Sequence, residues 1–404
     1  MPTYLNPGVY GDGNEPGGAV NGVPTSIAAF IGFTQIGPFD TPRLVTSWSE
    51  FLATFGDFTE YSYLPHAVYG FFENEGTACY VVRVGADSVV TATDPETALA
   101  SRPVEPSDFV GSGIDGTGLG SLEALDEVSM VCAPDVMMAL QQGWFDLEET
   151  LFVQRAIVAD CELKRDRLAI LDPPPRLDAD QIRKWRSETA TFDSAYATLY
   201  WPWLEAGVPS KGAHRLVPPS GHVAGIWARS DETKGVHKAP ANLEVRGSIG
   251  IPINITQEQQ ARLNALAINC LRAFPIRGLL VWSARTLSSD SQWRYINVRR
   301  FILYLEQSII DGTRWIASRP NDAALLTALR EQVIQFLVKE WQKGALCGSS
   351  ADEAFWVACD DTTSDSDGNR TGSASLDVGV APMAPGEFVT FRITHSLQGS
   401  QFLE

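Results

Sequence analysis

The chain has 404 residues, of which 44% are hydrophobic and 20% are charged, and its formal net charge is −18. These fractions are typical of a globular protein and exclude an intrinsically disordered chain. The length exceeds the roughly 250–300 residues at which a single core stops growing, so two domains are predicted. The acidity argues against nucleic acid and anionic membranes as partners, because both call for a basic surface.

Six cysteines are scattered along the chain without a CxxC pair, at positions 79, 132, 161, 270, 347 and 359. Most lie within apolar runs, so we expect buried free thiols in a reducing cytoplasm. The five histidines show no metal-ligand spacing with these cysteines. No basic and then apolar leader begins the chain and no apolar run reaches about 18 residues, so neither secretion by a signal peptide nor a membrane span is expected.

Residues 1–22 are dense in glycine and proline and show little periodicity. Tyr4, Leu5, Val9 and Tyr10 are the apolar exceptions. Such a segment is either a frayed terminus or an extended arm that becomes a strand by pairing with another chain. The residues alone leave both interpretations open.

A strand, two helices and a second strand are predicted next. The continuous apolar runs Ile27–Phe33 and Ala78–Val84 predict buried strands. Between them, Ser47-Trp-Ser-Glu50 is a capping box that begins a short helix, and residues 64–74 predict another helix. This spacing indicates an α/β layer.

Residues 86–120 are rich in Thr, Ser, Pro, Asp and Gly, and they predict a loop or a small peripheral lobe. They contain Gly111-Ser-Gly113-Ile-Asp-Gly116, which matches the GxGxxG pattern of dinucleotide-binding loops. A dinucleotide loop follows a strand and begins a helix. Here Glu105-Pro-Ser-Asp108 precedes the motif and more glycines follow it, so no phosphate site is predicted.

The clearest α/β alternation lies between residues 127 and 200. The pattern predicts strand, amphipathic helix, strand, helix and strand in turn, at Glu127–Ala133, Leu147–Leu163, Arg167–Leu171, Asp178–Glu188 and Ala195–Tyr200. Asp172 stands at the end of a predicted strand, where it is either a catalytic carboxylate or a cap of the following turn. The cap is the favoured interpretation.

The segment Val217–Gly247 is too rich in Pro, Gly and small residues for an ordinary helix, yet too apolar for a disordered linker. Ser220 is a suitable N-cap for a short helix over His222–Arg229. An ordered turn is predicted after Gly235. Such a segment stays ordered only if the rest of the chain packs around it.

An acid–base site is one interpretation of His222 and His237, which flank Asp231. Turn histidines that hydrogen-bond to local backbone are the favoured interpretation. The chain has no HExxH, GxSxG or Walker A motif. The sequence therefore does not demand an enzyme.

Two long helices are predicted in the last third, after a capping box at Thr256–Gln259. The first covers residues 293–316, and the second runs from Asn321-Asp322 to about Lys343. Three arginines near the start of the first helix oppose its dipole, so we expect them to have carboxylate partners on this chain or on a neighbouring copy. These arginines are Arg294, Arg299 and Arg300.

Four strands are predicted in the same third, at Arg277–Ala284, Glu353–Cys359, Leu376–Val380 and Glu387–Thr394. In the last of them Val389, Phe391 and Ile393 alternate with polar residues, so one face of that strand is buried. Its place near the C-terminus predicts a sheet edge, which offers unpaired backbone groups to another chain.

Five stretches of the chain resemble one known family, and two of them are the runs VTSWSEFLATFGDF from Val45 and HAVYGFFENEGTACYVVRV from His66. Residues 4–10 read YLNPGVY, residues 218–242 read PPSGHVAGIWARSDETKGVHKAPAN, and residues 269–300 read NCLRAFPIRGLLVWSARTLSSDSQWRYINVRR. They resemble the signature of tail sheath proteins from contractile phage tails and related contractile injection systems. The signature residues are Pro219, Gly221, Asp231, Gly235, Pro240, Asn242, Arg285, Trp293, Arg294, Asn297, Arg299 and Arg300.

The resemblance implies a mixed α/β subunit with an outer domain over residues 23–276 and an inner, tube-facing domain over residues 277–404, which the arm joins. It implies other copies of the chain, an inner tube protein, and baseplate and cap proteins as partners, with no cofactor, nucleic acid or membrane insertion. The expected location is the cytoplasm of the producing bacterium and then an assembled particle. Because little of the chain is left for added outer domains, a compact injection particle is favoured over a phage virion.

The resemblance also implies roles for named residues. The arm residues Tyr4, Leu5, Pro7, Gly8, Val9 and Tyr10 are expected to pair with the sheet that contains Val389, Phe391 and Ile393 of neighbouring copies. Arg330, Lys339 and Lys343 are the candidates to face the tube. No catalytic residue is required, and the alternative is an α/β enzyme that uses the glycine-rich motif or His222, Asp231 and His237.

Overall fold

The computed structural model describes residues 19–85, 104–208, 212–318, 323–361, 374–383, 389–396 and 399–403. Contacts divide the chain into two compact units, one of residues Val23–Tyr304 and one of Met1–Gly22 with Leu305–Glu404. The predicted boundary between residues 276 and 277 lies earlier than this division. The difference arises because residues 278–281 pair with residues 271–274 in one hairpin of the larger unit.

The larger unit has mixed α/β architecture. Its strands are β1 (Ala28–Gly32), β2 (Arg43–Val45), β3 (Cys79–Arg83), β4 (Met130–Cys132), β5 (Leu168–Leu171), β6 (Ala197–Trp201), β7 (Leu204–Val208), β8 (Ala213–Val217), β9 (Leu243–Glu244), β10 (Ser248–Gly250), β11 (Ile268–Phe274) and β12 (Gly278–Val281). Its helices are α1 (Trp48–Phe55), α2 (Leu64–Glu73), α3 (Pro106–Val110), α4 (Val136–Gln142), α5 (Leu147–Lys164), α6 (Ala179–Glu188), α7 (Ser220–Lys234), α8 (Gln257–Ala265) and the start of α9 (Ile296–Thr313).

A nine-stranded sheet organises this unit, in the order β2-β3-β1-β4-β5-β6-β11-β12-β9. The strands from β3 to β11 are parallel, whereas β2, β12 and β9 add antiparallel edges. The five parallel strands β3-β1-β4-β5-β6 have the order of a doubly wound fold, in which the strand order reverses between β1 and β4. A separate three-stranded antiparallel sheet has the order β10-β7-β8.

Local sequence signals explain several of these elements. Every residue of β1, β4, β5 and β6 is buried, as expected for continuous apolar runs in a parallel sheet. The capping box at Thr256 and Gln259 is confirmed, with reciprocal hydrogen bonds of 2.9 and 3.1 Å. Ser47 is the N-cap of α1 and accepts from the Glu50 N–H at 3.2 Å, but the predicted box is incomplete because the Glu50 carboxylate accepts from Thr46 instead of from Ser47. All six cysteines are free; four are buried as predicted, whereas Cys347 and Cys359 are half-buried.

Two of the predictions for the larger unit are wrong. The described part of residues 86–120 is not peripheral, because Val104, Phe109 and Leu119 are buried in the core. The segment after Pro219 is not a short helix but α7, whose fifteen residues are buried over most of their length.

Strand β11, which pairs with β6, was not predicted. Gly111 ends helix α3 in a left-handed conformation (φ 58°), so the GxGxxG motif does not open a helix after a strand.

The smaller unit contains α10 (Ala323–Gln342), α11 (Ala351–Ala354), β13 (Phe355–Asp361), β14 (Ala374–Val380), β15 (Val389–Ser396) and β16 (Gly399–Leu403). The strands form an antiparallel sheet in the order β13-β14-β15-β16. The predicted stripe of α10 is buried at Leu325, Leu329, Val333, Phe336 and Leu337. Val20 is buried in this unit against Gly312, where a Cβ would approach Val20 Cγ2 to 2.8 Å.

The predicted edge position of the strand around residue 391 is wrong. Strand β15 pairs with β14 on one side and with β16 on the other. The edges of this sheet are β13 and β16. Strand β16 was missed because residues 399–403 contain only two apolar side chains, at their C-terminal end. The arm residues 4–10 and the predicted helix start at 321–322 lie outside the described residues.

Candidate functional site

The signature residues converge on a buried ion pair inside the larger unit. Two guanidinium nitrogens of Arg300, near the start of α9, lie 2.9 and 2.6 Å from the two carboxylate oxygens of Asp231 on α7. Only 3% and 4% of the two side chains is exposed. This two-point geometry is the one in which a planar guanidinium matches a carboxylate best. The pair therefore joins two helices that are 69 positions apart in the sequence.

The chain segment that leads into β1 completes this junction. Arg300 also donates to the Thr25 carbonyl at 2.7 Å, and the Thr25 hydroxyl donates to Asp231 at 2.7 Å. On the other side, the Arg300 guanidinium carbon lies 4.7 Å from the centre of the Trp227 ring. Three distant parts of the chain thus meet at one charge pair.

The electrostatics of Asp231 are those of a structural carboxylate. Burial raises its pKa, whereas the charge and hydrogen bonds of Arg300 and the hydroxyl of Thr25 lower it. A buried charge that loses its partner is far more costly than the intact pair. Both oxygens are occupied by these partners, so this carboxylate is not available to act as a general base.

Arg299 packs against two aromatic rings. Its guanidinium carbon lies 4.1 Å from the centre of the Tyr196 ring and 4.4 Å from that of Trp293. The side chain also donates to the Tyr196 hydroxyl. Carboxylate pairing is therefore confirmed for Arg300, on this same chain, and the ring faces stabilise the cation of Arg299. Arg294 is half-buried, and its carbonyl accepts from the Thr286 N–H at 3.0 Å.

The remaining signature residues shape the backbone around this junction. The Asn297 side chain donates to the His237 carbonyl at 3.0 Å. Arg285 donates to the Asn264 carbonyl at 2.9 Å, and Asn242 accepts from Arg277 at 2.5 Å with a left-handed φ of 58°. Gly235 ends α7 (φ 87°), Pro219 is the N-cap of α7, and Pro240 is buried.

Helix α7 packs on α2 through glycines. A Cβ at Gly221 would lie 2.3 Å from Ala67 Cα, and one at Gly225 would lie 2.4 Å from the Phe71 carbonyl oxygen. The His222 ring packs on Gly70 in the same contact, where a Cβ would approach to 2.4 Å. These side-chain-free positions explain why a glycine-rich segment forms a buried helix.

The three residues of the alternative enzyme site are not brought together. His222 and Asp231 are nine residues apart on α7, which is roughly 13 Å along the helix axis. Burial lowers the pKa of His222 to about 4, and a hydrogen bond with the Gly247 backbone opposes this shift. The His237 ring instead faces Phe301, with 6.2 Å between ring centres. The favoured interpretation of a turn histidine is wrong for His222, because this residue lies buried within helix α7.

Two buried carboxylates close the edge of the sheet where doubly wound folds usually bind ligands. Asp135, just after β4, accepts from the Phe33 N–H at 2.7 Å, from the Ser62 hydroxyl at 2.9 Å and from the Tyr63 N–H. Burial raises its pKa to about 6. A Cβ at Gly32 would lie 2.4 Å from its carboxylate, so only glycine fits at the end of β1. The sequence analysis missed Asp135.

Asp172 follows the neighbouring strand β5 and caps a helix. It accepts from the Ser220 N–H at 3.0 Å and from the Ser220 hydroxyl at 2.6 Å, at the first turn of α7. Burial raises its pKa to about 7, against these hydrogen bonds. The favoured interpretation, a cap of the following turn, is wrong, because Asp172 holds the first turn of the distant helix α7 instead. Ser220 is therefore not the N-cap of α7 but the residue that Asp172 holds.

Neither a metal centre nor a membrane span is found in the described ranges. Among the described residues, no three His, Cys, Asp or Glu side chains are arranged to hold a metal ion. Likewise, none of the helices that the structure describes is both long and apolar enough to cross a bilayer.

The candidate tube-facing residues are exposed, with Arg330 and Lys339 on α10 and Lys343 just after its end. Arg330 Nε donates to the Val357 carbonyl at 3.1 Å, and the Lys343 amine lies 2.6 Å from a Glu340 carboxylate oxygen. Lys339 is exposed between them. Two of the three cations are thus engaged with their own unit, which leaves Lys339 as the better candidate for a partner.

The substitution Asp231→Asn should lower the free energy of unfolding by about 3 kcal/mol, because Arg300 would remain buried without its counter-charge. The matched control is Glu232→Gln, at the next position, where an exposed carboxylate accepts from Ser26 at 3.2 Å. We expect the control to change stability by less than about 1 kcal/mol. Urea unfolding measures both, and equal effects of the two substitutions would refute the junction's role.

Acidification should destabilise the chain through His222. Its folded pKa of about 4 lies below the ordinary 6.5, so between these values the unfolded chain binds a proton that the folded chain does not. Stability is therefore lost as the pH falls, by about 2 kcal/mol between pH 6.5 and pH 5. His222→Asn should lose this part of the pH dependence, whereas His214→Asn, at an exposed position, should keep it. A pH dependence unchanged in His222→Asn would contradict this assignment.

Comparison with known proteins shows which family this chain is similar to. Residues 144–287 match the family described as phage tail sheath protein central domain, and residues 288–396 match the phage tail sheath C-terminal domain. The tail sheath protein of Salmonella phage ViI is 23% identical over 83% of this chain. The chain spans only 52% of that relative's length.

Two solved structures of the anti-feeding prophage (AFP) match nearly the whole chain. A chain of the AFP baseplate is 26% identical, with a TM-score of 0.67, over 96% of this chain and 98% of that one. A chain of the AFP helical sheath in its contracted state is 25% identical, with a TM-score of 0.69 and the same coverage. Together with the match of both sheath domains over residues 144–396, these likenesses lead to one conclusion: the chain belongs to the phage tail sheath protein family.

Proposed function

We propose that this chain is the subunit of a contractile sheath. Copies polymerise as stacked hexameric rings around an inner tube, and contraction drives the tube through a target envelope. The observation that carries this proposal is the likeness to the contracted AFP sheath over 96% of this chain. No bond is made or broken in this function, because the energy lies in the difference between two packings of the subunits.

A compact injection particle is the favoured setting, and a phage tail in a virion is the alternative. This chain covers 98% of the AFP sheath chain but only 52% of the sheath protein of phage ViI. A subunit of this length has the size of an injection-particle sheath, but it also spans 92% of the tail sheath protein of Escherichia phage P2, so length supports both settings. In either setting the chain would be assembled in the producing bacterium.

A structural role is also supported by the state of the sheet edge where an α/β enzyme would bind its substrate. Asp135 and Asp172 stand at that edge, and hydrogen bonds from the chain itself occupy both carboxylates. The enzyme alternative built on His222, Asp231 and His237 loses its support, since His222 and Asp231 lie more than two helical turns apart. We therefore propose that the chain is not an enzyme.

We propose that the smaller unit makes the connections between copies. Its sheet ends in β13 and β16, and an edge strand presents backbone groups that another chain can pair with. We propose that residues 4–10 of a neighbouring copy add to one of these edges, rather than to β15, which already has two partners. Such a joint would hold copies together while their larger units move.

The other partners follow from the sheath role. Helix α10 would face the inner tube, with Lys339 as the residue most available to it. A baseplate contact is supported by the match to a chain within the AFP baseplate. A cap protein at the distal end would complete the particle. The net charge of −18 is consistent with a subunit that stays soluble before assembly.

Electron microscopy of the chain, expressed alone and with its tube protein, tests the sheath proposal. We expect hollow, striated cylinders of uniform width. Deletion of residues 2–15 should leave a folded monomer that makes no cylinders, because the arm would be lost while the described cores stay intact. Persistent monomers of the full chain in both conditions would refute the sheath role, and normal cylinders from the deletion variant would refute only the arm.

Charge reversal at Lys339 tests the tube-facing assignment of α10. Lys339→Glu should reduce co-assembly with the tube and leave the unfolding transition unchanged, because the side chain is exposed. The control is Lys184→Glu on α6 of the larger unit, which is also exposed and should co-assemble normally. Pelleting with the tube measures the effect. Co-assembly of Lys339→Glu at the level of the control would count against α10.

A further inference from the structure

Helix α5 carries an apolar face that the larger unit does not cover. One side of the helix is buried as predicted, at Leu151, Val153, Ile157, Val158 and Cys161. The opposite side is not polar, since Phe152 is 54% exposed and Leu163 is 81% exposed. These two residues lie eleven positions apart, which brings them to the same side of the helix about 16 Å apart.

Two alanines fill the space between those residues. Ala156 and Ala159 fall at helical spacing between Phe152 and Leu163; Ala159 is exposed and Ala156 is half-buried. We call Phe152, Ala156, Ala159 and Leu163 the α5 stripe. Exposed carboxylates of Glu148 and Glu162 flank it, together with one cation, Arg155. A solvent-facing helix side normally carries polar residues, so a continuous apolar stripe indicates a contact surface.

The hairpin between β11 and β12 carries an exposed apolar residue at its tip. Its tip residue Ile276 is fully exposed and has a left-handed φ of 73°. A β-branched residue in this region is strained, so the position would suit glycine or asparagine far better. Because Ile276 is exposed, its strained backbone does not stabilise the core of the monomer. We therefore infer that this residue has a role in contacts with another molecule.

Two arginines surround this tip. The guanidinium carbons of Arg272 and Arg277 lie 5.0 and 5.9 Å from the centre of the Phe274 ring. Arg277 is exposed and Arg272 half-exposed. The tip is therefore an apolar knob with a basic rim on a chain whose net charge is −18. It complements an apolar surface with an acidic rim.

We propose that the hairpin tip around Ile276 docks on the α5 stripe of a second copy of this chain. Ile276 would lie against Phe152 or Leu163, while Arg272 and Arg277 would face Glu148 and Glu162. The two surfaces are on different elements of one copy, so the contact is head-to-tail and repeats from copy to copy, as a ring or a helical polymer requires. This inference rests on the proposed sheath function.

The substitution Ile276→Gly separates this role from stability. Glycine relieves the left-handed strain, so the unfolding midpoint should stay equal or rise. The critical concentration for assembly of the full-length chain on its tube, measured by sedimentation, should rise about tenfold, because one buried isoleucine contact is lost. The matched control is Ile114→Gly, since Ile114 is also 99% exposed but is followed by Asp115 rather than by a cation. The control should assemble as the wild type does.

Charge exchange tests whether α5 is the receiving surface. Arg277→Glu should raise the critical concentration about tenfold, and adding Glu148→Arg or Glu162→Arg should restore most of the loss. Failure of both exchanges to rescue assembly would overturn the assignment to α5, and wild-type assembly of Ile276→Gly would overturn the role of the tip. If the wild-type chain itself stayed monomeric with its tube, the sheath function would fail instead.

Discussion

The charge pair between Asp231 and Arg300 holds together parts of the chain that share no local structure. Thr25, at the entry to the first strand, lies 206 positions from Asp231 in the sequence. Hydrogen bonds among Thr25, Asp231 and Arg300 bring these distant segments together. A buried pair of this kind adds little net stability when complete, but any packing that separates the two charges is strongly destabilised, because it leaves a buried charge without its partner. The larger unit is therefore fixed in one arrangement, which suits a body that has to move as a whole.

A doubly wound sheet usually leaves a crevice at the point where its strand order reverses, and enzymes place their ligands there. In this chain the crevice lies between β1 and β4, and the carboxylate of Asp135 fills it with bonds to Phe33 and Ser62. Asp172 uses the next position along the same edge to hold α7. At this edge of the sheet, both carboxylates thus serve the packing of the chain itself.

Local signals in the sequence were sufficient for much of the fold. Capping boxes, apolar runs and the α10 stripe each depend on residues within a few positions of one another, and they predicted the corresponding elements. Asp135 could not be found in this way, because its partners Tyr63 and Phe33 are 72 and 102 positions distant. The length of α7 was underestimated because Gly221 and Gly225 lower helix propensity, while their close approach to α2 overrides it.

For the candidate site, the sequence identified the residues but not their partners. Arg299 and Arg300 are neighbours with the same charge, yet one meets aromatic rings and the other a carboxylate, since successive helix positions point about 100° apart. The apolar stripe on α5 was likewise hidden, because a pattern of apolar residues does not reveal which side the core covers. Three-dimensional packing decides both questions.

The account holds that the larger unit stays unchanged while copies move relative to one another. Cryo-electron microscopy of the assembled sheath before and after contraction tests this most directly. We predict that the nine-stranded sheet and the Asp231–Arg300 pair superpose in both states, with all change between copies. A reconstruction in which the pair is broken or re-partnered in one state would contradict the account, because the energy of contraction would then be stored inside the subunit.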